Sequence, residues 1–138
     1  MHRVFVYGTL KQGFRNHNVI SGTRLAGEFL TVEAFPLYVI GEFGLPWLVH
    51  QGGSGHRVAG QVFEVDDDGL AAMDVLERVT DPGWYTRRAL RVVGSAGGDP
   101  VDAMAYFGDA ARLTEWTIHA GPIDRYTEAL QQLYRRHL

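Results

Sequence analysis

The chain has 138 residues, 46% hydrophobic and 21% charged, with a net charge of −3 and no cysteine. That length predicts one domain, residues 1–138, with room for a core. The composition excludes disulfides, thiolate nucleophiles and cysteine-bearing zinc sites, and the charge balance gives no pull towards nucleic acid.

The first element is a buried strand, Arg3–Tyr7, which runs into Gly8-Thr9 and a polar loop. Its apolar stretch is too short for a signal peptide, and no segment approaches the ~20 apolar residues of a membrane span, so a cytoplasmic protein without a membrane partner is expected. Leu25–Val32, Pro36–Ile40 and Pro46–His50 follow as strand candidates, divided by Gly, Pro and Glu. Gln51–His56 is a flexible turn, and Arg57–Val65 is a further strand. Asp66–Val79 is the first convincing helix. Trp84–Val93 and Val101–Phe107 form a hairpin around the Gly94–Pro100 loop. Tyr126–His137 reads as a second helix, because Tyr126, Ala129, Leu130, Leu133 and Tyr134 share one stripe. Strands in this number around one internal helix predict an α+β fold, a small mixed β-barrel-like sheet.

Two places invite chemistry. Gly8 and Gly13 have the glycine spacing of a phosphate-binding P-loop, but Phe14 and Arg15 stand where that motif needs Lys and Ser/Thr. The nucleotide reading therefore fails. What survives is local: a strand ending in Gly8 frees the N–H groups of Thr9 and Leu10 to cap, to bind water or to hold a carboxylate, and Tyr7 and Thr9 add hydroxyls. The second place is the helix. At 100° per residue, Leu70 at 0°, Met73 at about 300° and Leu76 at about 240° define the apolar arc, and Glu77 at about 340° falls inside it. An unpaired buried carboxylate raises its pKa or finds a partner. A helix-end glutamate also reaches solvent or pairs with Arg87 or Arg88. Asp74, at about 40°, is a second carboxylate or a polar support. In the strand, Tyr85 and Arg87 share one face and can lean over such a carboxylate or simply decorate the sheet. The Gly41–His50 segment walls a pocket or supplies core. Histidines 2, 17, 50, 56, 119 and 137 show no metal-ligand spacing, so no metal is expected.

Together, Tyr7-Gly8-Thr9-Leu10, the helix end Met73-Asp74-Val75-Leu76-Glu77 and Tyr85-x-Arg87 resemble the γ-glutamylcyclotransferase-like superfamily, in particular its γ-glutamylamine cyclotransferase branch. The likeness runs through YGTLKQGFRNH, FPLYVIGEFGLPWLVH and GSGHRVAGQVFEVD, roughly residues 3 to 93. It implies a small β-barrel with packed helices and a cofactor-free reaction on a small-molecule substrate. The α-amine of a γ-glutamyl amide attacks its own γ-carbonyl, releasing 5-oxoproline and a free amine. In this resemblance Tyr7, Gly8, Thr9 and Leu10 cradle the γ-glutamyl end, Tyr85 lies with them, and Glu77 is the acid/base. Two departures stand out: Arg78 follows the glutamate where the family often has glycine, and the link at residues 79–84 is a little longer. γ-Glutamyl amino acids, glutathione or a γ-glutamyl-protected intermediate are alternative substrates, and a non-catalytic metabolite-binding module is the alternative from another class. Oligomeric state is left open.

Overall fold

A computed structural model describes residues 1–135. In chain order it contains β1 (His2–Val6), β2 (Thr23–Arg24), β3 (Phe29–Thr31), β4 (Leu37–Ile40), β5 (Leu45–Leu48), β6 (Ala59–Val65), α1 (Asp67–Leu76), β7 (Tyr85–Gly94), β8 (Val101–Gly108), α2 (Arg112–Glu115), β9 (Ile118–Ile123) and α3 (Glu128–Gln131). The expected α+β arrangement is observed. No helix among the described residues is long and apolar enough to cross a membrane.

Five strands pair in a ring. β1 lies between β6, antiparallel, and β8, parallel; β8 pairs with β7, β7 with β3, and β3 returns to β6. β2 adds to β6 beyond β3. Ring closure requires β6 to serve β1 on one side and β3 on the other, and the crowding is greatest at Gly60. A Cβ there would sit 2.4 Å from the Val6 carbonyl oxygen, so only glycine fits without displacing backbone. A second, three-stranded sheet, β5-β4-β9, stands beside the ring. Trp47, fully buried, is the centre of an aromatic cluster with Tyr85, Trp116 and Trp84 at ring distances of 4.6, 5.5 and 6.4 Å. The Gly41–His50 segment thus supplies core through Trp47 and, through Pro46, the wall of a cavity.

α1 begins where Asp66 caps it, its side chain accepting from the Gly69 N–H at 2.7 Å, and Asp67 and Asp68 complement the positive end of the helix dipole. Leu70, Met73 and Leu76 face the core, each contributing about 1.5–3 kcal/mol by burial. The helix ends three residues earlier than the apolar pattern predicts. Arg78 N–H bonds the Val75 carbonyl and Val79 N–H bonds the Asp74 carbonyl, with Arg78 left-handed at φ 53°. This is the glycine-favoured helix stop. Arg78 is held in it by an ion pair to Asp81 and by stacking over Trp84, 4.1 Å from the ring centre. Asp81 and Trp84, in the link that follows, therefore hold Arg78 in a conformation that glycine adopts more easily.

Two other expectations are corrected, and one strand was not expected at all. Only Phe29–Thr31 of the Leu25–Val32 segment joins β3, because Gly27 turns at φ 87°. The expected Tyr126–His137 helix shrinks to α3 and a following turn; Tyr126 instead buries its ring against Phe14, 5.9 Å away. Its last residues, 136–138, lie outside those described. β9 has no apolar alternation to announce it, yet it pairs with β4 across two register shifts.

Candidate active site

Strand β1 delivers Tyr7, Gly8, Thr9 and Leu10 to one rim of the ring. α1 ends at the same rim, with Glu77 as its C-terminal cap. These five residues line one small cavity of about 20 Å³, room for a single water, together with Pro46 and Tyr106. Tyr85 does not line it. Its hydroxyl donates to the Pro46 carbonyl at 2.5 Å, and its ring borders a larger open cleft of about 480 Å³ that also includes His50, Asp81, Trp84, Arg88 and Asp109. Glu77 is not among the residues lining that cleft.

Glu77 as a whole is half-buried, and burial pushes the pKa of its carboxyl up to about 8. Among the described residues no hydrogen bond reaches the carboxyl. Arg87 serves Asp74 instead: Nη2 donates to Oδ2 at 3.2 Å, and Nε lies 3.0 Å from Oδ1, off the line of a good hydrogen bond. Of the two readings of Asp74, the structure selects polar support.

Three tyrosines feel the charge of Glu77, and burial followed by that charge holds the Tyr7 hydroxyl above its ordinary pKa. Tyr85 and Tyr106 are raised as well, chiefly by burial. Tyr7 donates to the Tyr106 carbonyl at 2.5 Å and Tyr85 to the Pro46 carbonyl. Tyr106 donates to Asp74 Oδ1 at 2.7 Å. Each partner can only accept, so each hydroxyl proton is directed away from Glu77. None of the three hydroxyls donates to Glu77, which leaves its carboxyl free to meet a cation.

The loop after β1 has the other polarity. Among the described residues the N–H groups of Gly8, Thr9 and Leu10 meet no protein acceptor, whereas Lys11 and Asn16 N–H close the loop onto the Gly8 and Thr9 carbonyls. Asn16, almost wholly buried, donates from Nδ2 to Thr9 Oγ1 (2.9 Å) and Tyr134 Oη (2.8 Å). With its oxygen occupied as acceptor, the Thr9 hydroxyl has its own proton free to donate. Lys11 Nζ donates to the Tyr126 carbonyl at 2.6 Å over the Phe14 ring, and burial lowers its pKa to about 8. The loop thus offers hydrogen-bond donors, and Glu77 a carboxyl able to exchange a proton near neutral pH.

Sequence reasoning missed Tyr106 and Asn16 as site components and did not join Asp74 to Arg87. The hairpin register contains the signal for two of them, since Arg87 faces Tyr106 directly across β7 and β8.

The family model described as "Gamma-glutamyl cyclotransferase, AIG2-like" matches residues 4–127. The chain belongs to this family. It is 41% identical over 127 residues to the γ-glutamylaminecyclotransferase of Rattus norvegicus, covering 84% of this chain and 83% of the relative. The Mus musculus γ-glutamylaminecyclotransferase is 40% identical over 126 residues, with the same shares covered. The crystal structure of a mouse AIG2-like protein superposes with a TM-score of 0.78 at 34% identity, covering 100% of this chain and 96% of the other. The family match extends through β9, beyond residue 93 where the motif likeness ends.

Gly8 bears on this AIG2-like site in an unexpected way. A Cβ added there meets Pro46 Cγ at 2.6 Å, so the glycine makes room for β5. Gly8→Ala is expected to push Pro46 aside, disturb the Tyr85–Pro46 bond and lower stability by about 1–3 kcal/mol. Chemical denaturation measures this loss; a midpoint equal to wild type would contradict it.

Proposed function

We propose that the chain is a cyclotransferase that converts γ-glutamyl amides of the γ-glutamylamine type into 5-oxoproline and a free amine, with Glu77 as acid/base and residues 7–10 as the cradle. The observation that carries the roles is that Glu77, with its carboxyl raised in pKa by burial, shares one cavity with Gly8, Thr9 and Leu10, whose N–H groups are open. The substrate has the matching pattern: a carboxylate and a carbonyl oxygen that need donors, and an α-ammonium that needs an acceptor and a base.

The ammonium enters beside Glu77, and its charge favours the ionised carboxylate. Glu77 takes one proton, and the amine nitrogen bonds to the γ-carbon while the carbonyl π pair moves to oxygen. Attack makes the remaining N–H acidic. Two protons in all pass from the attacking to the leaving nitrogen, and the carboxylate ends as it began. The C–N bond to the leaving amine then breaks. Donors aimed at the developing oxyanion supply electrostatic stabilisation, and holding the amine against the carbonyl supplies several kcal/mol more. Tyr85 positions Pro46, and with it the cavity wall. The same reading assigns the enzyme to the cytoplasm and to a small-molecule substrate.

The test is 5-oxoproline release from γ-glutamyl-ε-lysine, γ-glutamyl-alanine and glutathione. Release from the first above the others is the expected result, with kcat/KM rising as pH approaches 8 and Glu77 ionises. Preference for alanine or glutathione would change the leaving group but keep the chemistry. Absence of turnover with intact ligand recovered would replace the enzyme by a binding module.

A further inference from the structure

Asp74 and Glu77 are three residues apart at the end of α1 and so share a face of the helix. The hydroxyl of Tyr106, a residue that lines the cavity with Glu77, donates to the first of these carboxylates. Arg87, facing Tyr106 across the hairpin, holds Asp74 in place through Nη2. The titratable groups whose charge couples to Glu77 are Tyr7 from the loop after β1, Tyr85 from β7 and Tyr106 from β8, with Asp74 joining Tyr106 to Arg87. Tyr7 and Tyr85 are tied to backbone carbonyls that no side-chain change removes. Only the Tyr106 proton depends on a side chain.

We propose that Asp74 is a positioning residue: by accepting the Tyr106 hydroxyl proton it denies Glu77 a hydrogen-bond donor and thereby sets the pH range in which Glu77 works as a base. The inference rests on the cyclotransferase reading for its kinetic form. Removing the acceptor lets Tyr106 donate to the neighbouring carboxylate three residues along. A hydrogen bond to an ionised carboxylate stabilises the charged form, so Glu77 becomes a weaker base that ionises at lower pH.

The experiment is the pH dependence of kcat/KM for wild type, Asp74→Ala, Asp74→Asn and the double variant Asp74→Ala/Tyr106→Phe. In Asp74→Ala the acid limb is expected to move down by about 1–2 pH units. Asp74→Asn keeps an acceptor oxygen while losing the charge partner of Arg87, so its limb should stay near wild type. Adding Tyr106→Phe removes the donor and should return the limb upward. An unmoved limb in Asp74→Ala overturns the proposal, as does a lowered limb that persists in the double variant, which would assign the shift to the freed Arg87 charge. Asp74→Leu, with similar bulk and no acceptor, replaces the alanine variant if that chain does not fold. Carboxyl ¹³C NMR, with the Glu77 signal assigned by difference from Glu77→Gln, reads the same shift without substrate. Failure of the cyclotransferase reading would silence the kinetics but not this titration.

Discussion

Glu77→Gln is expected to abolish measurable release of 5-oxoproline while the protein still binds it. The amide is nearly isosteric and neutral, like the protonated acid that burial favours at neutral pH, so the cavity and the loop at residues 7–10 are retained. What disappears is the ability to take a proton from the α-ammonium and return one to the leaving amine, an effect of about 10²–10⁴-fold on turnover. Coupled measurement of 5-oxoproline release and of 5-oxoproline binding by calorimetry checks both halves. A variant with unchanged kcat would remove Glu77 from the mechanism. Loss of binding together with rate would instead make it a structural member of the pocket.

The same substitution should stabilise the protein, and increasingly so as pH rises. In the folded chain burial lifts the Glu77 pKa from its usual 4.5 to about 8. Below pH 4.5 the carboxyl is protonated in both folded and unfolded states and contributes no difference. Between 4.5 and about 8 the unfolded chain loses the proton while the folded chain keeps it, so wild-type stability falls with rising pH. Glutamine has no proton to lose. The variant should match wild type near pH 4 and exceed it at pH 8 by on the order of 4 kcal/mol, or roughly 15 °C in Tm. The difference between the two thermal unfolding curves, followed across pH, isolates this group from all others. A constant difference would mean that the carboxyl is hydrated in the folded state. A gain on removing the base is the signature of a site that gives up stability for reactivity.

The sequence made some of this visible for local reasons. Helical phase directs residue 77 inwards even though the regular hydrogen bonding of α1 stops at Leu76, because a C-cap residue still follows the turn before it. The amides of the first loop were legible because a strand ending in glycine leaves donors without partners. The Asp74–Arg87–Tyr106 group was not, since it requires the register of a hairpin whose loop, residues 95–100, sets the pairing only in three dimensions. β9 was hidden by its composition, Ile-His-Ala-Gly-Pro-Ile, where partner strand β4 rather than intrinsic preference imposes extension. The shortened C-terminal helix failed as a prediction because its apolar stripe answers two demands. Tyr126 fills the core beside Phe14, and Tyr134 reaches back to Asn16.

That reach-back has a consequence for the order in which the molecule is built. Arg15 N–H is bound by Gln131, its guanidinium by the Tyr134 carbonyl, Asn16 by the Tyr134 hydroxyl, and Arg135 N–H closes on Phe43. The residues that steady the cradle lie more than a hundred positions downstream of it. On a ribosome adding about 5–20 residues per second, the first loop is made early and waits for its partners until almost all of the described chain has emerged. Contacts so distant along the chain also slow folding, because a long loop must close before any of them forms. The loop at residues 7–10 is therefore made well before the residues that brace it, and closes against them only once Gln131 and Tyr134 have been made.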